Sequence, residues 1–441
     1  MADTAQVVVV GGGRMGLPLA CVLADNGAQV TVCDVRQELV DDINAGRAPY
    51  PEEPGLEEIM ARVHVAGTLR ASTDTTASVA NAQYVVVIVP AHLTPERDID
   101  YHILESASAA VARGLRKGTL VSYETTVAVG GVRAKLVPVL ERESGLKAGE
   151  DFFVSFSPER VKANLVFAKL RTTPKIVGGI NSASAAKAEA FYRDYLVRDA
   201  DKVINVDAME AAEFAKLADM LFRDVNIALA NELASYAEAV GVDFSRVRAA
   251  ANTCDESGLL FPGIGVGGHC TPVYPYFIIR DGERRNATQR LATAARQIND
   301  GQPERNVQRL EAAIGPLAGK RVHILGLAFR PDVKVEIFSS AYPLGDALRA
   351  RGAAVTIEDP MYSDEELRAQ GFDTARVGID SLDAVLLNTA HSAFKSPDFG
   401  AWHRSGIRAV VDGRNCLDRA AVEKAGLRYL GVGDGRASGP A

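Results

Sequence analysis

The chain has 441 residues, too many for one ordinary hydrophobic core, and its length alone predicts roughly two to four domains. Hydrophobic residues make up 47% and charged residues 24%, an ordinary globular balance, and the formal net charge of −7 argues against a broad nucleic-acid surface. No apolar run approaches the ~20 residues that cross a bilayer, and the first residues run almost directly into Val7–Val10 without the features of a signal peptide, so a cytoplasmic protein is expected.

In the first third, short β-branched runs alternate with helical patterns. Val7–Val10, Val30–Cys33, Tyr84–Val89 and Thr119–Ser122 read as strands, with Leu17–Asn26 and Ile103–Gly114 helical between them. Such alternation predicts a parallel sheet covered by helices on both faces. Phe152–Ser155 and Lys175–Val177 extend the sheet, and Gly178-Gly179 closes that segment. From Ala208 to Val240 the pattern becomes one long helix free of Gly and Pro, the reading being a spine and dimer surface or, alternatively, a buried linker. More helix is expected in Arg246–Asn252 and Ala287–Asp300, flanking a glycine-rich loop.

Strand, turn and helix then begin again. Arg321–Gly326, Ala354–Glu358, Ala384–Asn388 and Ala409–Val411 read as strands and Ala341–Arg351 as a helix, a second and smaller doubly wound domain. The Gly/Ser/Ala-rich tail from Gly431 to Ala441 is expected to fray. The fold expected is therefore α/β: two Rossmann-like doubly wound parallel-sheet domains joined by a long central helix and a helical middle domain. Boundaries fall at 1–200, 201–305 and 306–441.

Two motifs carry chemistry. Val7-Val-Val-Val-Gly11-Gly-Gly13-Arg-Met-Gly16 is a strand running into GxGxxG and a helix. Gly11 permits the tight turn, Gly13 lets the backbone approach a pyrophosphate, and Gly16 allows close helix packing. Asp34, about 20 residues on, stands where a carboxylate binds the adenosine ribose hydroxyls and favours NAD over NADP, with Arg36 nearby as a contrary signal. The second motif is Phe261-Pro-Gly-Ile-Gly-Val-Gly-Gly-His-Cys270, a backbone able to close around a ligand with a thiol at its end. The other cysteines (Cys21, Cys33, Cys254, Cys416) form no CxxC pair, so neither a disulfide framework nor a metal site is expected. Cys270 reads as a reactive thiol, with His269 or Lys216 able to lower its pKa, although His269 is not taken as a base.

Gly11–Ala20, Val89-Pro90, Thr125-Thr126-Val127, Phe156-Ser-Pro-Glu-Arg-Val161, Asn226–Leu233, Pro262–Pro272, Ala295–Asp300 and Gly326–Asp332 occur in the order found in one family. Together they resemble the UDP-glucose/GDP-mannose dehydrogenase family over nearly the whole chain, and Gly-Val-Gly-Gly-His-Cys is most similar to its UDP-N-acetylhexosamine branch. The resemblance implies oxidation of a sugar C6 alcohol to a carboxylate with two NAD, through a cysteine thiohemiacetal and thioester. It implies Cys270 as nucleophile, Glu159 organising the hydrolytic water, Thr126 beside the nicotinamide, and Lys216 stabilising alkoxide charge. Gly11, Gly13, Gly16, Asp34, Val89, Pro90 and Thr126 are then the cofactor-binding residues. Glu159, Arg160, Lys216, Phe261, Gly263, Gly267 and Arg330 bind a nucleotide sugar, with Arg330 meeting its phosphates. The partners implied are a UDP-linked sugar and a second copy docked through the central helix, with no nucleic acid and no membrane.

The chain departs from the family in places. Four residues after Lys216 the family has an Asn, here Met220; four after the cysteine it has an Asp, here Tyr274. The family's Arg in the segment after Arg330-Pro-Asp is Ile337, and the Pro-Gly after Val161 is replaced by Lys162-Ala-Asn. Three readings follow: a uronate-forming 6-dehydrogenase with a remodelled site, a redirected oxidation stopping at an aldehyde or ketone or returning the hydride as an epimerase does, and a binding protein without chemistry.

Overall fold

The computed structural model describes residues 4–161, 165–197 and 199–436. It divides into two compact units: the chain up to Asp219 with Tyr276–Arg285, and Met220–Pro275 with the chain from Asn286 onward.

The first unit is built on strands β1 (Gln6–Val10), β2 (Gln29–Cys33), β3 (Leu69–Ser72), β4 (Tyr84–Val87), β5 (Leu120–Tyr123), β6 (Phe153–Phe156), β7 (Lys175–Gly179) and β8 (Val203–Ala208). Their order across the sheet is β8-β7-β6-β5-β4-β1-β2-β3. Strand periodicity divides Val7–Val10 between two cores: Val7 and Val9 pack with Leu17 and Leu23, Val8 and Val10 with Val85 and Val87. Six strands are parallel, but β7 runs antiparallel to β6, pairing Gly178 with Phe156 and Gly179 with Ser155. Gly178 and Gly179 are thus the last two residues of the strand. Side chains there would collide with the Ala208 carbonyl and with the Ala185 amide, so the small residues admit the neighbouring backbone. The strand order reverses beside β1, opening a crevice at the carboxyl ends of β1 and β4, where doubly wound sheets bind ligands.

The second unit repeats the plan with β9 (Arg321–Leu325), β10 (Ala354–Glu358), β11 (Asp373–Thr374), β12 (Ala384–Leu387), β13 (Ala409–Asp412) and β14 (Arg428–Gly431), in the order β11-β10-β9-β12-β13-β14. Every pair is parallel. Its switch point lies between β9 and β12. The tail is ordered further than its composition suggests: Val432 is buried, and the Phe244 amide donates to the Gly433 carbonyl at 2.8 Å. Gly433 and Gly435 fit there because they approach the long helix closely. Residues 437–441 lie outside the described residues.

The long helix spans Met209–Ala239, and Phe244–Ala251 and Arg290–Asp300 follow the expected pattern. Tyr274–Arg284 is a further helix that the Pro275 hid; proline is tolerated in a first turn, where its missing N–H has no partner to lose. Glu213 of the long helix is fully buried and accepts the backbone N–H groups of Gly130 and Val132, the latter at 3.1 Å. Burial pushes its carboxyl up to about 7 against these donors. Unfolded glutamate titrates near ~4.3, so the folded state holds the extra proton between these values. This contribution is complete below the lower value and is lost as pH rises through about 7. Glu213→Gln is expected to flatten the decline of Tm between pH 5 and pH 8 (roughly the titration window), and an unchanged slope in thermal melts would reject this.

Candidate active site

The turn after β1 fits a dinucleotide. Gly11 has φ +109°, and a Cβ at Gly16 would stand 1.9 Å from the Gly11 carbonyl oxygen, so a side chain at Gly16 is excluded. A Cβ at Gly13 would meet nothing within 4 Å, which leaves open space beside that backbone. The helix Gly16–Asp25 begins without a side-chain cap; its Leu17 amide donates to the Gly13 carbonyl at 3.0 Å, and Pro18 carries no N–H. Asp34 directly follows β2 and accepts the Gly12 amide at 2.8 Å and the Arg36 guanidinium at 3.0 and 3.2 Å. Burial raises its carboxyl, but Arg36 and the backbone amides prevail and hold it below the ordinary value. Val89 is half-buried and Pro90 exposed after β4, while the Thr125 hydroxyl donates to the Val89 carbonyl and Thr126 is buried beside it in sequence.

Glu159 follows β6, and its carboxylate oxygen Oε1 takes the amides of Arg160 and Val161 at 2.6 and 2.8 Å. Lys216, 5% exposed, donates from Nζ to the Glu159 carbonyl at 2.8 Å. The first unit therefore brings Glu159 and Lys216 together through contacts within itself. Arg160 donates to the Pro174 carbonyl. Sequence patterning passed over Lys175 and Glu124, which touch Glu159 directly or through one another. Lys175 Nζ lies 2.8 Å from Glu124 Oε2 and 3.2 Å from Glu159 Oε2.

In the second unit the glycine-rich loop is fastened by polar residues of two helices. Asn226 brackets it by donating to the Gly258 carbonyl and accepting the Leu260 amide, at 2.8 and 2.9 Å. Asn231 accepts the Gly263 amide at 2.9 Å. Arg296, 2% exposed, donates to Asp224 at 2.9 Å and to the Thr271 carbonyl at 3.1 Å, just past Cys270. The glycines serve this fold as well as any ligand: Gly268 has φ +96°, and a Cβ there would meet the Phe329 ring at 2.8 Å. The Gly268 amide also donates to the Ile337 carbonyl at 3.0 Å, so the altered segment pairs with the loop through its backbone.

Cys270 is half-buried, and its carbonyl accepts the Tyr274 amide at 2.9 Å in the turn that leads into the helix Tyr274–Arg284. The Tyr274 hydroxyl lies 3.3 Å from His269 Nδ1. Phe261 is 70% exposed beneath the Arg248 guanidinium, 3.5 Å from the ring centroid. Arg330 is half-buried in the loop after β9, and Met220 is half-buried on the long helix. The substitution at Lys162-Ala-Asn164 lies outside the described residues. Arg414, which the sequence reading missed, is held by the carbonyls of Asn388 and Gly265 at 2.6 and 3.3 Å, with no ion pair among the described residues. Desolvation brings its guanidinium down to about 10. Its only sequence signal is a basic residue just past the end of β13.

Three models of one family cover most of the chain. The UDP-glucose/GDP-mannose dehydrogenase NAD binding domain matches residues 5–196, the central domain 210–301, and the UDP binding domain 323–419. The UDP-N-acetyl-D-mannosamine dehydrogenase of Pyrococcus horikoshii is 31% identical over 98% of this chain and 99% of its own. This chain belongs to the UDP-glucose/GDP-mannose dehydrogenase family. It is accordingly an NAD-dependent oxidoreductase acting on CH–OH of a nucleotide sugar. The NDP-N-acetyl-D-galactosaminuronic acid dehydrogenase of Ralstonia nicotianae is also 31% identical, over 93% of this chain and 96% of its own. A UDP-glucose dehydrogenase structure from Pyrobaculum islandicum superposes with TM-score 0.86 at 28% identity, covering 98% of each chain. Among the described residues no His, Cys, Asp and Glu group could hold a metal, and no helix is long and apolar enough to cross a membrane.

Proposed function

We propose that the enzyme oxidises the C6 alcohol of a UDP-linked hexose or N-acetylhexosamine to the uronic acid, with Cys270 as nucleophile. The end-to-end likeness to the Pyrococcus horikoshii UDP-N-acetyl-D-mannosamine dehydrogenase carries this reading and favours the N-acetylhexosamine. Gly11, Gly13, Gly16, Asp34, Val89, Pro90 and Thr126 would hold NAD, which would supply the hydride acceptor for oxidation at C6. Lys216 stabilises the alkoxide charge as the aldehyde forms. The Cys270 thiolate adds to the aldehyde carbon and keeps the sugar tethered as a thiohemiacetal; the second oxidation leaves a thioester. Water then hydrolyses the thioester, giving up its proton to Glu159. Phe261, Gly263, Gly267 and Arg160 contact the substrate, and Arg330 meets its phosphates. The half-buried guanidinium of Arg414, without an ion pair among the described residues, suits those phosphates as well.

In this reading residues 1–200 bind NAD, 201–305 dimerise and 306–441 bind UDP. A second copy suits the long helix, because Phe222, Leu229 and Tyr236 recur at seven-residue spacing and are 69%, 43% and 67% exposed. The scattered free cysteines suit a cytoplasmic setting. A redirected oxidation is the second reading, favoured by Met220, which cannot donate a hydrogen bond, and by Tyr274 in place of a carboxylate.

The test is NADH yield and product mass with UDP-N-acetylmannosamine, UDP-N-acetylglucosamine and UDP-glucose. The expected result is two NADH per sugar and a product in which two hydrogens are exchanged for one oxygen. One NADH, or an isomer with none, would replace the proposal by the redirected oxidation.

A further inference from the structure

Two carboxylates and one ammonium are buried together past the ends of β5 and β6 and at the start of β7. Glu124 and Lys175 are 2% and 5% exposed, and the Glu159 side chain is 11% exposed. Lys175 donates to both carboxylates, at 2.8 and 3.2 Å. The Tyr192 hydroxyl donates to the other oxygen of Glu124 at 2.7 Å and lies 2.9 Å from the Ser122 hydroxyl. Lys175 Nζ also sits 5.0 Å from the Tyr192 ring centroid. Glu159 Oε1 is taken up by two backbone amides, so Lys175 is the charged partner of its second oxygen.

An exposed ion pair is worth little. Here the groups are out of water, where an unbalanced charge is costly and a single cation sets the behaviour of both anions. The two glutamates are not equivalent. Among the described residues the Glu124 carboxylate meets only side chains, and burial raises it despite Lys175. Burial also opposes ionisation of Glu159, but Lys175 and the amides of Val161 and Arg160 outweigh it and lower the carboxyl. Lys175 in turn is kept protonated by the two carboxylates against its burial. Two further charged groups lie here: Lys216 meets the Glu159 main-chain carbonyl, and the Arg160 guanidinium meets the Pro174 carbonyl. As pH falls, Glu124 is therefore the first of the pair to protonate, and Glu159 retains its charge.

We propose that Lys175 and Glu124 are positioning residues for Glu159: Glu124 and Tyr192 fix the Lys175 ammonium, which holds the Glu159 carboxylate charged and aimed as the acceptor of the hydrolytic proton. The inference rests on the role of Glu159 given above. In the step it serves, the water oxygen bonds to the acyl carbon, one water proton passes to Glu159, the carbon–sulfur bond breaks, and Cys270 leaves as thiolate. Nothing is oxidised or reduced, and Lys175 keeps its proton throughout.

Lys175→Met alone strands two buried carboxylates and can fail to fold, so the decisive variant is the near-isosteric double change Lys175→Met with Glu124→Gln, which removes one charge of each sign. The measurement is the pH profile of kcat with UDP-N-acetylmannosamine, beside NAD affinity by calorimetry. The expected result is an acid limb moved upward by about one pH unit or more, NAD affinity within about twofold of the parent, and a limb restored toward the parental position when Lys175→Arg alone is made. A lower kcat with the acid limb unmoved would reduce the cluster to a structural brace and overturn the proposal. Glu159→Gln separates this from the underlying reading. Accumulation of an acyl adduct on the protein, seen by mass, upholds the role of Glu159; turnover at the parental rate overturns that role and the proposal with it.

Discussion

Cys270→Ala is expected to lower steady-state NADH formation by about 10⁴-fold or more, the scale on which removal of a covalent nucleophile acts. The reason lies in the order of bond changes. An alcohol can lose one hydride without a nucleophile, but an aldehyde carbon has to gain a fourth substituent before a second hydride can leave. Cys270 supplies it and keeps the intermediate bound between the two oxidations. The variant should still fold, because Cys270 is half-buried and its ordered contacts run through its backbone carbonyl. Rapid-quench measurement should therefore find at most one NADH per enzyme, with free or hydrated aldehyde and no acid. Near-parental turnover to the acid would make Cys270 a structural residue of the loop.

Arg296→Leu is expected to cost about 3–5 kcal/mol of stability, as removal of one partner from a buried ion pair does. Arg296 joins Asp224 of the long helix to the Thr271 carbonyl, and Asp224 is fully buried with Asn299 as its other donor, at 2.8 Å. Burial already pushes the Asp224 carboxyl up to about 6 despite Arg296. A raised acid holds its proton in the folded state, so its contribution is present below the unfolded value near ~3.9 and is lost as pH rises through the folded one. Without the guanidinium the folded value climbs further, and the loss should be larger at pH 8 than at pH 5 (roughly the two sides of the folded value). Denaturant unfolding at both pH values checks this. Adding Asp224→Asn should recover much of the stability, since an amide still accepts from Asn299 without a buried charge. Equal losses at both pH values would assign the effect to the Thr271 contact and the ion pair with Asp300.

These expectations draw on parts of the protein that differ in how openly the chain displays them. The alternation of β-branched runs and helical spacing foretold two doubly wound sheets, because strand and helix periods are local properties of consecutive residues. The same holds for GxGxxG at Gly11–Gly16, where backbone demands appear as glycine itself, and for Asp34 directly after the next strand. The family motifs marked Glu159, Lys216 and Cys270, and the structure joins Lys216 to Glu159 at 2.8 Å.

Tertiary structure alone decided the rest. Glu124 meets Lys175 across 51 positions and Asp224 meets Arg296 across 72, and neither pair has a local signature. A lone Lys or Arg in a sequence reads as a solvated side chain until the fold buries it opposite an acid. The antiparallel turn of β7, the ordered residues around Val432 and the fit of Gly268 against Phe329 are likewise consequences of chain segments meeting far from their neighbours in sequence. The chain by itself determined most of the strands and helices and where a dinucleotide belongs, since those follow from short-range pattern. Which charges are buried together, and so which residues control Glu159, depended on long-range packing, where desolvation makes a distant partner matter more than an adjacent one.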